Sequence, residues 1–259
     1  MQLSHTFSEK FLFSHYKQTQ FIYIYIIDTQ DRSHLTRRPA HNPTAKEYYA
    51  RGRQEIVINV MLHIDKVLTN RLMREQTTKT RSKLKRLTQD ILREVERFYR
   101  HPTLNMNIRF RLMDTKFLKN NTEVVRMDEN GSNYLKSYCN WQAGKKRLAN
   151  KVYYSVLLTG LDLYYVNSRG EKIRSSTGRG YGGGICHIRK SCTLLEWHPR
   201  NVGFLLAHEM GHSMGLLHDG PPHNRCNPDG YIMAVTYDRQ LHPTSWSPCN
   251  RQELRNFLA

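Results

Sequence analysis

The stretch His208-Glu209-Met210-Gly211-His212-Ser213-Met214-Gly215-Leu216-Leu217-His218-Asp219 carries more information than the rest of the chain together. It reads H-E-x-x-H-x-x-G-x-x-H-D, and each fixed position has its own chemical reason. His208 and His212 are four residues apart, so on a helix they share one face and can grip one metal ion. Glu209 stands beside the first of them, where its carboxylate can act as general base on a metal-bound water. His218 comes six residues after His212, and a continuing helix at ~100° per residue would aim it well off that face. The chain must break in between, and Gly215 can do so by taking a left-handed conformation at the helix C-terminus. Three neutral imidazoles with one position left open form the ligand set of catalytic zinc rather than of a closed structural site. The simpler alternative is an ordinary amphipathic helix with chance histidines, in a chain that has 13 of them. The added glycine and third histidine count against coincidence. Ligation by histidine also predicts that activity falls as pH drops through ~6.5, where imidazole takes up a proton.

Around this motif the 259 residues have room for one domain of ~200 residues and a flank. Residues 1–52 are polar and irregular, broken at Pro39 and Pro43, and read as an N-terminal flank, the remnant of a propeptide. The regular part, 53–259, holds the motif. Ile56 to Asp65 reads as a buried strand, and Leu84, Leu87, Ile91, Val95 and Phe98 recur at helical steps up to His101-Pro102. Residues 107–118 alternate as a second strand, 134–142 read as a helix and 152–159 as a third strand. Residues 178–188 are glycine-rich and extended, and the helix bearing the motif runs from about Arg200 to Leu217. Strands alternating with helices indicate an α/β sheet.

The formal net charge is +18, so the surface is cationic and favours acidic partners such as sulfated glycans. Nucleic acid is disfavoured, because no recognised binding motif accompanies the charge. No run approaches the ~18 apolar residues of a membrane helix. The run Phe21 to Ile27 is barely long enough for the core of a signal peptide, and no small-residue cleavage site follows it. Yet five cysteines and two glycosylation sequons, at Asn120 and Asn130, suit a secreted protein. Secreted-type features without export information point to an incomplete chain.

With these elements in place, the chain resembles the metzincin zinc peptidases of the adamalysin (reprolysin) branch. The nearest likeness is to the catalytic domains of ADAM proteins with thrombospondin motifs and to related secreted arthropod enzymes. The likeness rests on Gly182-Gly183-Gly184-Ile185-Cys186, Ser191-Cys192-Thr193, the zinc motif, Gly230-Tyr231-Ile232-Met233 and Trp246-Ser247-Pro248-Cys249. It implies a twisted, mostly parallel sheet with an antiparallel edge strand, flanking helices, a zinc helix and a Met-turn. Met233 would be the Met-turn methionine beneath the ligands, and Asp219 a branch marker that supports the local fold. Substrate would lie extended along an edge strand including Gly183, Gly184 and Ile185, with Ala234 and Val235 in the wall of the primary specificity pocket. Cys139 would pair with Cys192 and Cys226 with Cys249, leaving Cys186 unpaired because its family partner falls beyond the end of this chain. A free thiol or an intermolecular bridge is the other reading of Cys186. Relatives often bind calcium through acidic residues whose matching positions here are Asn59 and Tyr153; neither supplies charge for a hard cation, which makes Ca2+ doubtful.

The expected function is therefore that of a secreted, zinc-dependent metalloendopeptidase acting on extracellular or matrix proteins, with Glu209 as its base. A catalytically silent cationic domain that binds matrix or glycans on the same fold is the alternative. Degenerate members usually lose the glutamate or a histidine, and here Glu209, His208, His212 and His218 are all intact.

Overall fold

The structure is a computed structural model that describes residues 25–27, 55–75, 81–119, 125–174, 178–235 and 243–259. The flank assigned to 1–52 lies outside the described residues apart from β1 (Tyr25–Ile27), which comes from the apolar run Phe21–Ile27. The remaining strands are β2 (Glu55–Ile64), β3 (Ile108–Phe117), β4 (Tyr154–Thr159), β5 (Tyr165–Val166), β6 (Lys172–Ile173), β7 (Gly178–Gly180) and β8 (Cys192–Glu196). The helices are α1 (Lys66–Glu75), α2 (Arg81–Tyr99), α3 (Gly131–Ala149), α4 (Val202–Ser213) and α5 (Pro248–Leu258).

The main sheet runs β3-β2-β4-β8-β7, with β1 antiparallel beside the first residues of β2. The ladders β2–β3, β2–β4 and β4–β8 are parallel, whereas β7 is antiparallel to β8 and lies at the edge. β5 and β6 form a separate small hairpin. Parallel strands need helical crossovers, and these cover both faces of the sheet. Alternation along the strands shows which residues go where. Val60, Leu62, Ile64, Tyr154, Val156, Leu158 and Leu195 join the larger core with α1, α2, α4 and α5. Leu157, Cys192 and Leu194 turn to the other face, where they meet Tyr134, Leu135, Tyr138 and Cys139 of α3. β4 is buried throughout, as a strand covered on both sides must be.

Several boundaries differ from those read in the sequence. The second helix follows its apolar spacing, with Leu84, Ile91, Val95 and Phe98 buried. The third is about twice as long as 134–142. Asn130 accepts from the backbone of Ser132 and Asn133 at its start, and Asn150, at φ 45°, ends it. Within its C-terminal basic run, Lys146 is buried and donates to the Ser191 carbonyl and hydroxyl at 2.8 and 2.7 Å. Burial lowers the pKa of that amine to about 7. Disulfides join Cys139 to Cys192, tying α3 to β8, and Cys226 to Cys249, tying the segment after the third histidine to α5. Loops of 53 and 23 residues correspond to roughly 4 and 3 kcal/mol of chain entropy. Cys186 is free and exposed.

Candidate metal centre

The helix α4 is apolar on nearly every side: Phe204, Leu205, Leu206, Ala207 and Met210 are all buried. Each large side chain contributes about 1.5–3 kcal/mol, so the helix is held firmly while His208, Glu209 and His212 remain half-buried on its one open face. The helix ends at Ser213 rather than at Leu217, because Gly215 turns the chain at φ +82°. That break is the one expected from the spacing, and it returns His218 toward the other two histidines.

The three Nε2 atoms converge. They lie 3.1 Å apart for His212–His208, 3.1 Å for His212–His218 and 3.2 Å for His218–His208. The opposite nitrogens fix the tautomers of two rings, since a carbonyl can only accept. His208 Nδ1–H donates to the Ile232 carbonyl at 2.7 Å, and His212 Nδ1–H to the Leu216 carbonyl at 2.9 Å. Burial, the largest cause in each case, lowers the pKa of His208 and His218 to about 4 and of His212 to about 3. The rings are therefore neutral, and the Nε2 lone pairs of His208 and His212 face one another with no proton to share. Two acceptors cannot satisfy each other; a cation satisfies all three nitrogens. Tetrahedral coordination at the ~2.0–2.1 Å typical of Zn–N places nitrogens ~3.3 Å apart, close to these separations. An all-imidazole set suits zinc and its neighbours rather than magnesium or calcium. Burial thus places protonation of these three rings well below the ordinary imidazole value of ~6.5.

Beneath the ligands, Met233 is fully buried. A Cβ at Gly211 would come within 2.8 Å of its sulfur, so the glycine between the two helical histidines is where Met233 packs. The turn carrying Met233 supports the site twice more, since the Ile232 carbonyl orients His208 and the Met233 carbonyl accepts from Asp219 N–H at 2.9 Å. Asp219 is buried, receives the Ser247 hydroxyl at 2.5 Å, and has its pKa raised to about 6 by burial. It takes no place among the converging nitrogens. α5 holds the intervening loop. Glu253 accepts from Leu217 N–H at 3.0 Å, Asn250 donates to the Leu217 carbonyl at 3.2 Å, and Phe257 packs on Gly215.

Glu209 lies against β7. A Cβ at Gly178 would meet its Cγ and Oε1 at 2.9 Å, so glycine leaves the room that this carboxylate occupies. Burial raises its pKa to about 7, opposed by the Arg179 guanidinium and the Gly180 N–H. A carboxyl group poised there can accept a proton at neutral pH and return it.

The edge strand is β7, Gly178–Gly180, and this corrects the assignment of Gly183, Gly184 and Ile185 to it. Those residues form a turn, with Gly183 at φ +61°. Gly183 N–H and Ile185 N–H donate to the carbonyls of His212 and Ser213, both at 2.9 Å, so they cap α4 and are not free to pair with a peptide. Ala234 is half-buried and Val235 exposed just before the undescribed residues 236–242. Asn59 and Tyr153 come side by side where Val60 pairs with Tyr154, and the Tyr153 hydroxyl donates to Gln142 at 3.2 Å. Asn120 lies outside the described residues, and Asn130 serves as the cap of α3.

Gly178, Gly211, Arg179 and the α5 residues Asn250, Glu253 and Phe257 were given no role from the sequence, and Ser247 entered only as part of the Trp246–Cys249 likeness. For the glycines the signal was present, as a glycine-rich run and as a small residue one turn inside the motif.

No helix among the described residues is long and apolar enough to cross a membrane. Among similar proteins, "A disintegrin and metalloproteinase with thrombospondin motifs 16" of Homo sapiens is 30% identical over 170 residues, covering 65% of this chain and 14% of that protein. Number 7 of the same series from Homo sapiens is 30% identical over 175 residues, covering 65% and 10%. The gon-1 member from Caenorhabditis elegans is 29% identical over 184 residues, covering 63% and 8%. The chain thus spans a small part of the length of these relatives. A chain in a solved chaperone–substrate complex shares the fold, with a TM-score of 0.51 at 10% identity over 79% of this chain and 35% of that one. Residues 58–259 match the reprolysin (M12B) family of zinc metalloproteases, and it is to this family that the chain belongs.

Proposed function

We propose that residues 53–259 form a zinc-dependent endopeptidase domain that hydrolyses peptide bonds of extracellular proteins. His208, His212 and His218 would hold one zinc ion. Zinc in such a site supplies Lewis acidity toward a carbonyl oxygen and lowers the pKa of water. Glu209 takes the proton from the attacking water and passes it to the leaving amine, a role suited to a carboxyl group with a pKa of about 7. The outer edge of β7 is where an extended peptide would add to the sheet. The carbonyls of Ile232 and Leu216 keep the first two imidazoles aimed, and Met233 packs against Gly211 between them.

The observation that carries this reading is the convergence of three Nε2 atoms within 3.2 Å beside the half-buried Glu209. Two disulfides support a setting outside the reducing cytosol, hence secretion. A net charge of +18 supports sulfated glycans as secondary partners.

Glu209→Gln provides the test. It should keep one equivalent of zinc while peptide cleavage falls by at least ~10²-fold, the lower range for loss of a general base. Unchanged cleavage in that variant refutes the role given to Glu209, and absence of bound zinc in the parent chain refutes the ligand set.

A further inference from the structure

Arg179 is the middle residue of the edge strand β7, between two glycines that both face α4. A Cβ at Gly178 would meet Glu209, and one at Gly180 would meet Ser213 Oγ at 3.2 Å. Strand alternation sends the Arg179 side chain to the opposite face, where its guanidinium lies 5.8 Å from the centre of the Tyr165 ring on the β5–β6 hairpin. Its backbone is fixed from the sheet side, with the carbonyl accepting the Thr193 hydroxyl at 2.8 Å. Arg179 is half-buried, so the guanidinium remains within reach of a ligand.

This cation has no carboxylate to neutralise it among the ion pairs of the described residues. The carboxylates at the base of the hairpin are already taken. Glu129 and Asp162 each lie 2.9 Å from Arg174. Lys172, over the Tyr164 ring at 4.6 Å, adds a further positive charge to the hairpin. The wall beside the outer edge of β7 therefore carries a positive charge that no ion pair among the described residues takes up, although the guanidinium also acts on Glu209.

A peptide added to that edge alternates its own side chains between the same two faces. Those on the glycine face turn toward α4 and the metal ligands. Those on either side of such a residue turn to the face of Arg179, at the cross-strand separations where opposite charges attract and like charges repel. We propose that Arg179 sets substrate preference, selecting peptides with aspartate or glutamate next to the residue that faces the zinc helix. This rests on the peptidase reading above and names its substrate class: acidic peptides.

Digestion of a peptide library by the full chain tests it, comparing the parent with Arg179→Glu and Arg179→Lys. The parent should favour acidic over basic side chains at the alternate positions by about tenfold in kcat/KM, the combined effect of attraction for one sign and repulsion of the other. Arg179→Lys should keep the sign of the preference and Arg179→Glu should reverse it, which a merely structural role would not do. The same peptides are also titrated onto Glu209→Gln with and without Arg179→Glu, reading affinity in place of cleavage. Reversal of charge preference in binding, with no cleavage by the parent, overturns the peptidase reading and upholds the role of Arg179. Cleavage with the same preference in the parent and Arg179→Glu overturns the role of Arg179 alone. If the Arg179→Glu chain does not fold, an absence of acidic preference in the parent and Arg179→Lys overturns it equally.

Discussion

Histidines with lowered pKa lie on both faces of the sheet, and their ring nitrogens are partnered in opposite ways. On the α3 face, His63 is 2% exposed and has a neutral partner on each ring nitrogen, Tyr138 Oη at 2.8 Å and Gln142 Nε2 at 3.3 Å. Gln142 is satisfied in turn by the hydroxyls of Tyr153 and Ser155. On the other face, His208 and His212 give their Nδ1 protons to carbonyls and turn their remaining lone pairs on each other and on His218. Burial lowers the pKa in both places, to about 3 for His63 and about 3 to 4 for the trio. Neither burial nor a depressed pKa marks a metal site, then. What distinguishes the trio is that its second nitrogens meet acceptors, where those of His63 meet a donor and a hydroxyl.

The sharpest way to break this contrast is to remove one imidazole from each side. His212→Ala should lose bound zinc, with affinity falling by more than the ~10²-fold typical of an outer-shell change, and cleavage should disappear with it. His63→Gln should retain one equivalent of zinc. Equal metal content in the two variants, measured on purified protein, would abolish the distinction. A smaller effect comes from the edge strand. Gly178→Ala introduces a Cβ 2.9 Å from Glu209 Oε1 and 2.6 Å from Leu195 Cδ2, and displacing the carboxylate by ~1 Å should cost about 10²-fold in kcat with zinc retained. Normal turnover in this variant would show that Glu209 does not depend on the space the glycine leaves.

Acid separates the parts of the site. Glu209 works as a base only when deprotonated, so cleavage should decline as pH falls through about 7. The ligand histidines resist protonation until about pH 4, so zinc content measured across the same range should hold well below the point where activity is lost. Metal and activity disappearing together near pH 6.5 would count against the buried ligand environment. The smallest effect belongs to His63. Its folded pKa of about 3 lies below its ordinary 6.5, so the unfolded chain takes up the proton first. Its neutral form contributes fully above pH 6.5, and that contribution declines as pH falls toward 3. His63→Gln should therefore flatten the fall of Tm between pH 6.5 and 4, and an unchanged slope would count against His63 as its source.

Much of the centre was legible in the chain because metal chemistry leaves little freedom. Four residues between helical ligands, a glycine to break the helix and a third imidazole beyond it are demands that a linear string can display. The apolar spacing of α2 and the parallel strands were legible for a similar reason, since burial on one or both faces has a period. The glycine-rich run could not be divided by sequence alone. Whether its amides pair with a substrate or cap α4 depends on where Gly183 and Ile185 meet His212 and Ser213. Lys146 misled for the opposite reason: a lysine in a basic run reads as solvated until Ser191 is brought against it from 45 residues away. Ser247, Glu253 and Asn250 act through contacts just as remote, and no local pattern announces them.

The last helix has a consequence for how the third ligand is built. The loop between Gly215 and His218 is held at Leu216, which is buried and donates to the Gly211 carbonyl, and again at Leu217, gripped by Asn250 and Glu253, 33 and 36 residues further along the chain. The first two imidazoles are carried on α4 itself, whereas the third sits on a loop that leans on the carboxyl-terminal helix. Contacts made at the far end of the domain thus bear on the third imidazole more directly than on the other two.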